Sequence, residues 1–107
     1  MPWVWSEAKN RSNVRNHGLS FATAHLVFDD PLAISRQDSH SDGDRWQTMG
    51  RVGPVLLFVV HTWPEIERAT EAEIGRIISA RKATAHERRH YEEGDFQAAI
   101  AGANGRA

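Results

Sequence analysis

Arg76-Ile77-Ile78-Ser79-Ala80-Arg81-Lys82-Ala83-Thr84-Ala85-His86-Glu87-Arg88-Arg89 is an apolar strand running into a capped, basic helix start. Paired isoleucines suit an extended, half-buried backbone. Thr84 with Glu87 three residues on forms a capping box, which sets a final helix at about 85–93. Residues 76–90 hold Arg76, Arg81, Lys82, Arg88 and Arg89 against Glu87, whereas 29–44 hold Asp29, Asp30, Asp38, Asp42 and Asp44 against Arg36. Such segregation suits a compact site for a polyanion beside a face for a cationic partner, or else two solvated faces of opposite sign.

Upstream, Val55-Leu56-Leu57-Phe58-Val59-Val60 is apolar at every position, as in a central strand covered on both faces. The segment 55–62 follows a strand over 45–51 across Val52-Gly53-Pro54, and 32–36 alternates enough to be another strand. A solvated loop over 38–44 separates those two. Near the N-terminus, 2–5 reads as a short edge strand. Ser6 caps a helix over about 7–17 that stops at Gly18. Ser20 caps a second helix over 21–28, with Phe21, Ala24 and Phe28 on one face, ended by Asp30-Pro31. An acidic connection over 63–73 leads to the last strand, about 74–81, in which Gly75 invites a bulge. The order predicts an α+β fold: a mainly antiparallel sheet of four to five strands, two N-terminal helices and a C-terminal helix. With 107 residues we expect one domain over 1–93 and a small-residue tail over 94–107, a short helix or frayed.

The chain has no cysteine, which excludes disulfides, thiolate metal sites and a thiol nucleophile. No apolar run approaches the roughly 18–20 residues of a membrane span, and the start lacks a signal peptide's regions. We therefore expect a soluble, cytoplasmic protein. A net charge of −1 argues against a coat of positive charge, so any anion site must be local. There is no Gly-rich phosphate loop, nucleophile elbow or carboxylate pair on a regular element. His86 and His90 are four apart on a helix, but Glu87 between them belongs to the capping box, so we expect neither a metal nor a cofactor.

Arg81 is the preferred phosphate clamp, because a guanidinium fork matches phosphate bidentately and stays charged. By strand alternation Ser79 shares its face as a donor, while Arg76 and Lys82 share the other with Ile78 and Ala80. Lys82, at the strand end, swings to either role. Arg76 either contributes to the site or pairs with an acid such as Glu73 or Asp44. Arg51 precedes the hairpin and either reaches the sheet face or pairs locally. Lys9 lies in the first turn of a helix, where a cation opposes the dipole. His17 precedes Gly18, where it serves as a cap or as a site residue. Arg88 and Tyr91 face the site or pack beneath it. His61 reads as a hydrogen-bonded core histidine. Trp3, Trp5, Trp46 and Trp63 suit core packing, with an exposed subset left for stacking bases or anchoring a partner.

Taken in order, Trp5-Ser6-Glu7-Ala8-Lys9, Asn13, His17-Gly18, Ser20-Phe21, Phe28-Asp29-Asp30-Pro31-Leu32-Ala33, Gly50-Arg51-Val52-Gly53, the 76–89 stretch and Tyr91-Glu92-Glu93 resemble the BrnT family of bacterial type II toxins. The resemblance covers about residues 3 to 93. It implies a RelE-like shape and a ribonuclease toxin that cuts RNA and arrests growth. It also implies a BrnA-like antitoxin with a ribbon-helix-helix DNA-binding domain, in a hetero-oligomer that touches operator DNA only through the antitoxin. Cutting RNA without a metal requires the 2′-hydroxyl deprotonated, the leaving 5′-oxygen protonated and the phosphorane charge stabilised. The resemblance carries those roles collectively onto Lys9, His17, Arg51, Arg76, Ser79, Arg81 and Lys82; we expect Arg81, Ser79, Lys82, Arg76, Arg51 and His17 to act in catalysis, and Lys9 to bind substrate with Arg88 and Tyr91, which the residues themselves suggest. The alternatives are a nucleic-acid-binding or co-repressor module that does not cut, and a pure interaction domain.

Overall fold

The computed structural model describes residues 3–38, 45–62, 65–66 and 68–95. Strand β1 (Trp3–Val4) leads to helix α1 (Glu7–His17), whose cap Ser6 accepts from the Lys9 amide. The helix ends at Gly18 in the left-handed conformation, φ 65°. Ser20 caps α2, which is shorter than its apolar spacing suggested: α-helical turns cover only Phe21–Ala24, and His25–Asp29 tighten into a 3₁₀ turn. That turn makes a close approach to the sheet. A Cβ at Gly50 would lie 2.7 Å from the Val27 carbonyl oxygen, so the turn rides on bare backbone.

Strands β2 (Ile34–Gln37), β3 (Trp46–Val52), β4 (Val55–His61), β5 (Glu65–Ile66) and β6 (Glu73–Lys82) follow, then α3 (Ala85–Glu93). The order is β1-β6-β4-β3-β2, antiparallel except for the parallel β1–β6 pair, with β5 on β6. This is the expected α+β architecture, with one strand more than expected: the connection after β4 contains β5. The β2 strand starts two residues later than expected, because Asp30 binds the Leu32 amide and holds that corner in a turn. The loop 39–44, Trp63 and the tail from 96 onward fall outside the described residues.

As its composition demanded, β4 is central and covered on both faces. On one face Leu57 and Val59 pack with Phe21, Ala24, Val27, Ile77 and Ala80. On the other, Leu56 and Phe58 pack with Met49 and Tyr91 beneath α3. His61 is buried on the first face, and its Nδ1 lies 2.7 Å from the Thr62 carbonyl oxygen. That acceptor assigns the ring proton to Nδ1, leaving Nε2 to accept from Thr48 Oγ1 at 2.6 Å. It is the hydrogen-bonded core histidine that the sequence implied.

The irregularity in β6 is not at Gly75. Val60 pairs with Ser79 but His61 pairs with Ile77, so Ile78 is the extra residue of a bulge. Gly75 instead makes room for Trp3, whose indole occupies the space a Cβ would take. There Trp3 stacks on Phe28, centroids 4.0 Å apart, and meets His61 edge-on.

Both halves of the capping box form. Thr84 Oγ1 accepts from the Glu87 amide at 3.1 Å, and the Thr84 amide donates to Glu87 Oε1 at 2.8 Å. Thr84→Ala should cost about 1 kcal/mol in chemical denaturation; an unchanged midpoint would mean that the cap does not anchor α3.

Candidate functional site

Residues directly opposite in an antiparallel pair share a face. The register therefore sorts the cations. Arg81 lies opposite Phe58, Ser79 opposite Val60, Arg51 opposite Leu56 and Arg36 opposite Gln47, which itself pairs with Val60. All belong to the face that α3 covers in part. Lys82 lies opposite Leu57, turns to the other face and is exposed.

The bulge corrects the simple alternation read from the sequence. Ile77 and Ala80, three apart, share one core cluster, so Arg76 falls on the same face as Ser79 and Arg81. It is exposed and stands roughly 16 Å along the strand from Arg81. Neither Arg76 nor Lys82 therefore adjoins Arg81 across the face. Lys9 and His17 are exposed on α1, which borders β6 on the side away from β4.

Asn13 fixes that border. Its amide donates to the Ala80 carbonyl at 2.8 Å and its oxygen accepts from the Ala80 amide at 3.1 Å. A second donation, at 2.8 Å, reaches the Leu19 carbonyl. One buried side chain thus stands in for a neighbouring strand at the sheet edge, between Ser79 and Arg81.

Arg81 is held from three sides. Its Nη1 and Nη2 donate to Glu87 Oε1 and Oε2, each at 2.8 Å, Nη1 also reaches the Lys82 carbonyl, and its carbon lies 4.2 Å from the Phe58 ring centroid. The bond from Glu87 pushes the guanidinium above its ordinary pKa, overcoming burial. Burial alone would raise the Glu87 carboxyl, but bonds from Arg81 and Thr84 bring it below its ordinary range. Arg36, whose Nε donates to Gln47 Oε1 at 2.7 Å, is lowered by burial and raised in opposition by the Glu87 charge. Glu87 therefore acts electrostatically on two arginines. From sequence, Glu87 belongs to the cap alone and Arg36 has no role; an acid six residues beyond Arg81 across a strand-to-helix turn is the available signal.

A second network ties Arg51 and Tyr91 together. The Tyr91 hydroxyl donates to Asp30 Oδ2 at 2.6 Å, the same oxygen accepts from the Arg51 amide at 2.8 Å, and the Arg51 guanidinium sits 5.4 Å from the Tyr91 ring centroid. Tyr91 is buried under the site, and Arg88, half-buried, points about a quarter turn away from Glu87 around α3. His86 and His90 place their Nε2 atoms 3.3 Å apart on a third side of that helix. Among the described residues no group of three or more His, Cys, Asp or Glu stands together as metal ligands.

The Asp30 carboxyl would be raised by burial, yet Tyr91, then the Arg51 and Leu32 amides, hold it below its ordinary value of 3.8. A carboxyl depressed in the folded state contributes stability that is complete above its unfolded pKa and drains as pH falls through the folded value. Glu87 acts in the same direction. Thermal midpoints should therefore fall as the pH drops below about 4, and Asp30→Asn should flatten that decline. An acid limb of unchanged steepness in the variant would remove Asp30 from the balance.

No helix among the described residues is long and apolar enough to cross a membrane. A family model described as the ribonuclease toxin BrnT of type II toxin–antitoxin systems matches residues 5–87. None of the curated proteins matches the chain.

Proposed function

Because the chain belongs to the BrnT family of ribonuclease toxins of type II toxin–antitoxin systems, we propose that it is an endoribonuclease that cuts RNA without a metal on the sheet face beside α3. The observation that carries this reading is the gathering of Arg36, Arg51 and Arg81 on one face around a single helix. Fixed guanidiniums can stabilise phosphorane charge where other enzymes use a metal ion.

In this reading Arg81 clamps the scissile phosphate. Glu87 occupies the end of its fork, but the side edge, Nε–H with the second Nη2–H, has no partner among the described residues. That edge offers the same parallel pair of donors. Ser79 donates from the same face. Arg51, steadied by Asp30 and Tyr91, and Arg76 meet flanking phosphates, with Arg88, Lys82, Lys9 and His17 on the rim where the strand passes the ribose-phosphate chain. The partner is a BrnA-like antitoxin with a ribbon-helix-helix domain, whose acids cover the cationic face, and the compartment is the cytoplasm.

The test is incubation of purified protein with single-stranded RNA in EDTA. Cleavage retained in the chelator supports the reading. Tight binding with intact RNA at high protein concentration favours a co-repressor-like module, and neither binding nor cleavage favours a pure interaction domain.

A further inference from the structure

Glu87 does three things at once, and its lone pairs show what is left over. Oε1 accepts from the Thr84 amide and from Arg81 Nη1, both at 2.8 Å. A carboxylate oxygen has two acceptor sites in the carboxyl plane, so Oε1 is saturated. Among the described residues Oε2 accepts only from Arg81 Nη2, which leaves it one further acceptor site. The Glu87 side chain is 17% exposed and that of Arg81 37%, so the pair is reachable from solvent while its geometry is fixed.

The position of the open site is set by Arg81. Nη2 gives one hydrogen to Oε2 and has its second on the side edge, where it would meet a phosphate oxygen. Carboxylate and phosphate would thus be neighbours across one nitrogen. A phosphate held there would bring the 2′-hydroxyl of its nucleotide toward Oε2. The carboxylate is ionised at neutral pH, as an acceptor must be, and two arginines, Arg81 and Arg36, offset the repulsion between it and the phosphate.

We propose that Glu87 is the general base of the cleavage reaction, and that Arg81 both positions it and binds the phosphate. This inference rests on the ribonuclease reading above. In the step, Glu87 Oε2 takes the 2′-hydroxyl proton, and the 2′-oxygen forms a bond to phosphorus. The bond from phosphorus to the 5′-oxygen breaks, with its electron pair leaving on that oxygen, which takes a proton from water. The products are a 2′,3′-cyclic phosphate and a 5′-hydroxyl, with one proton gained by Glu87 and returned to solvent.

Glu87→Gln separates this role from a structural one. Glutamine serves at the third position of a capping box as glutamate does; its carbonyl in place of Oε1 still accepts from the Thr84 amide and Arg81 Nη1, while its NH2 in place of Oε2 loses the bond to Nη2. The variant should fold, with its thermal midpoint lowered by no more than Arg81→Ala lowers it. Its single-turnover rate on a mixed-sequence oligoribonucleotide should fall about 100-fold or more, with RNA affinity unchanged or tighter because a negative charge is gone. Its rate should also lose the acidic limb of the pH profile. Cleavage by Glu87→Gln at the wild-type rate or faster would overturn the proposal; a faster rate would make Glu87 a lock on Arg81. Should Glu87→Gln not fold, Glu87→Asp, with its carboxylate drawn back by one methylene, serves instead: a folded variant cutting at the wild-type rate overturns the proposal. Wild-type protein inert on RNA would sink the ribonuclease reading itself, a result distinct from an active wild type with an equally active Glu87 variant.

Discussion

Arg81→Ala should abolish growth arrest and slow RNA cleavage by at least about 100-fold, the usual cost of removing one preorganised donor from a charged transition state. It should also lower stability. The substitution unpairs Glu87, which is bound through both oxygens, and removes the cation over Phe58. Partial exposure moderates the loss, so about 1–2 kcal/mol is expected where a free surface cation would cost almost nothing. Arg81→Lys keeps the charge but replaces the planar fork with a point donor, and should recover only a small part of the rate. Denaturation curves and single-turnover assays on the same preparations check both statements. Undiminished cleavage by the alanine variant would remove Arg81 from the reaction.

Asn13→Ala should be among the most destabilising single changes in the chain, at about 2–4 kcal/mol. It deletes three hydrogen bonds and strands the amide and carbonyl of Ala80 in a buried place, each worth about 1–3 kcal/mol when unsatisfied. For a chain of this size the midpoint should drop on the order of 10–20 °C. Asn13→Asp should give no rescue, since it keeps an acceptor for the Ala80 amide but sets a carboxylate against two carbonyls. A loss under about 3 °C in the alanine variant would mean that water replaces the side chain at no cost.

Much of the scaffold was legible because its signals are local. Ser6 and Gly18 bound α1, Thr84 and Glu87 start α3, and the unbroken apolar run of β4 placed it at the centre. What escaped depends on contacts far apart in sequence. The 3₁₀ turn after Ala24 packs where Val27 meets Gly50, and the true role of Gly75 is visible only with Trp3 beside it. The bulge at Ile78 has no composition to announce it, yet it decides which face Arg76 occupies. At the site, Ser79 and Arg81 were correctly set on one face. The Arg81–Glu87 pair was missed because Glu87 already had a sufficient local explanation, and one residue can serve two partners.

The placement of β1 and Asn13 has a consequence for how the molecule comes into being. Trp3 pairs with Gly75, and Asn13 bonds to a residue 67 positions away. Loops of that length close late and slowly, whereas the β3–β4 hairpin closes at once. During synthesis the N-terminal helix has only its neighbours, Leu19 and Phe21, to bind until the last strand emerges, and Glu87 follows only after that. Until Glu87 has been made, therefore, most of the scaffold exists and the face proposed to cut RNA does not.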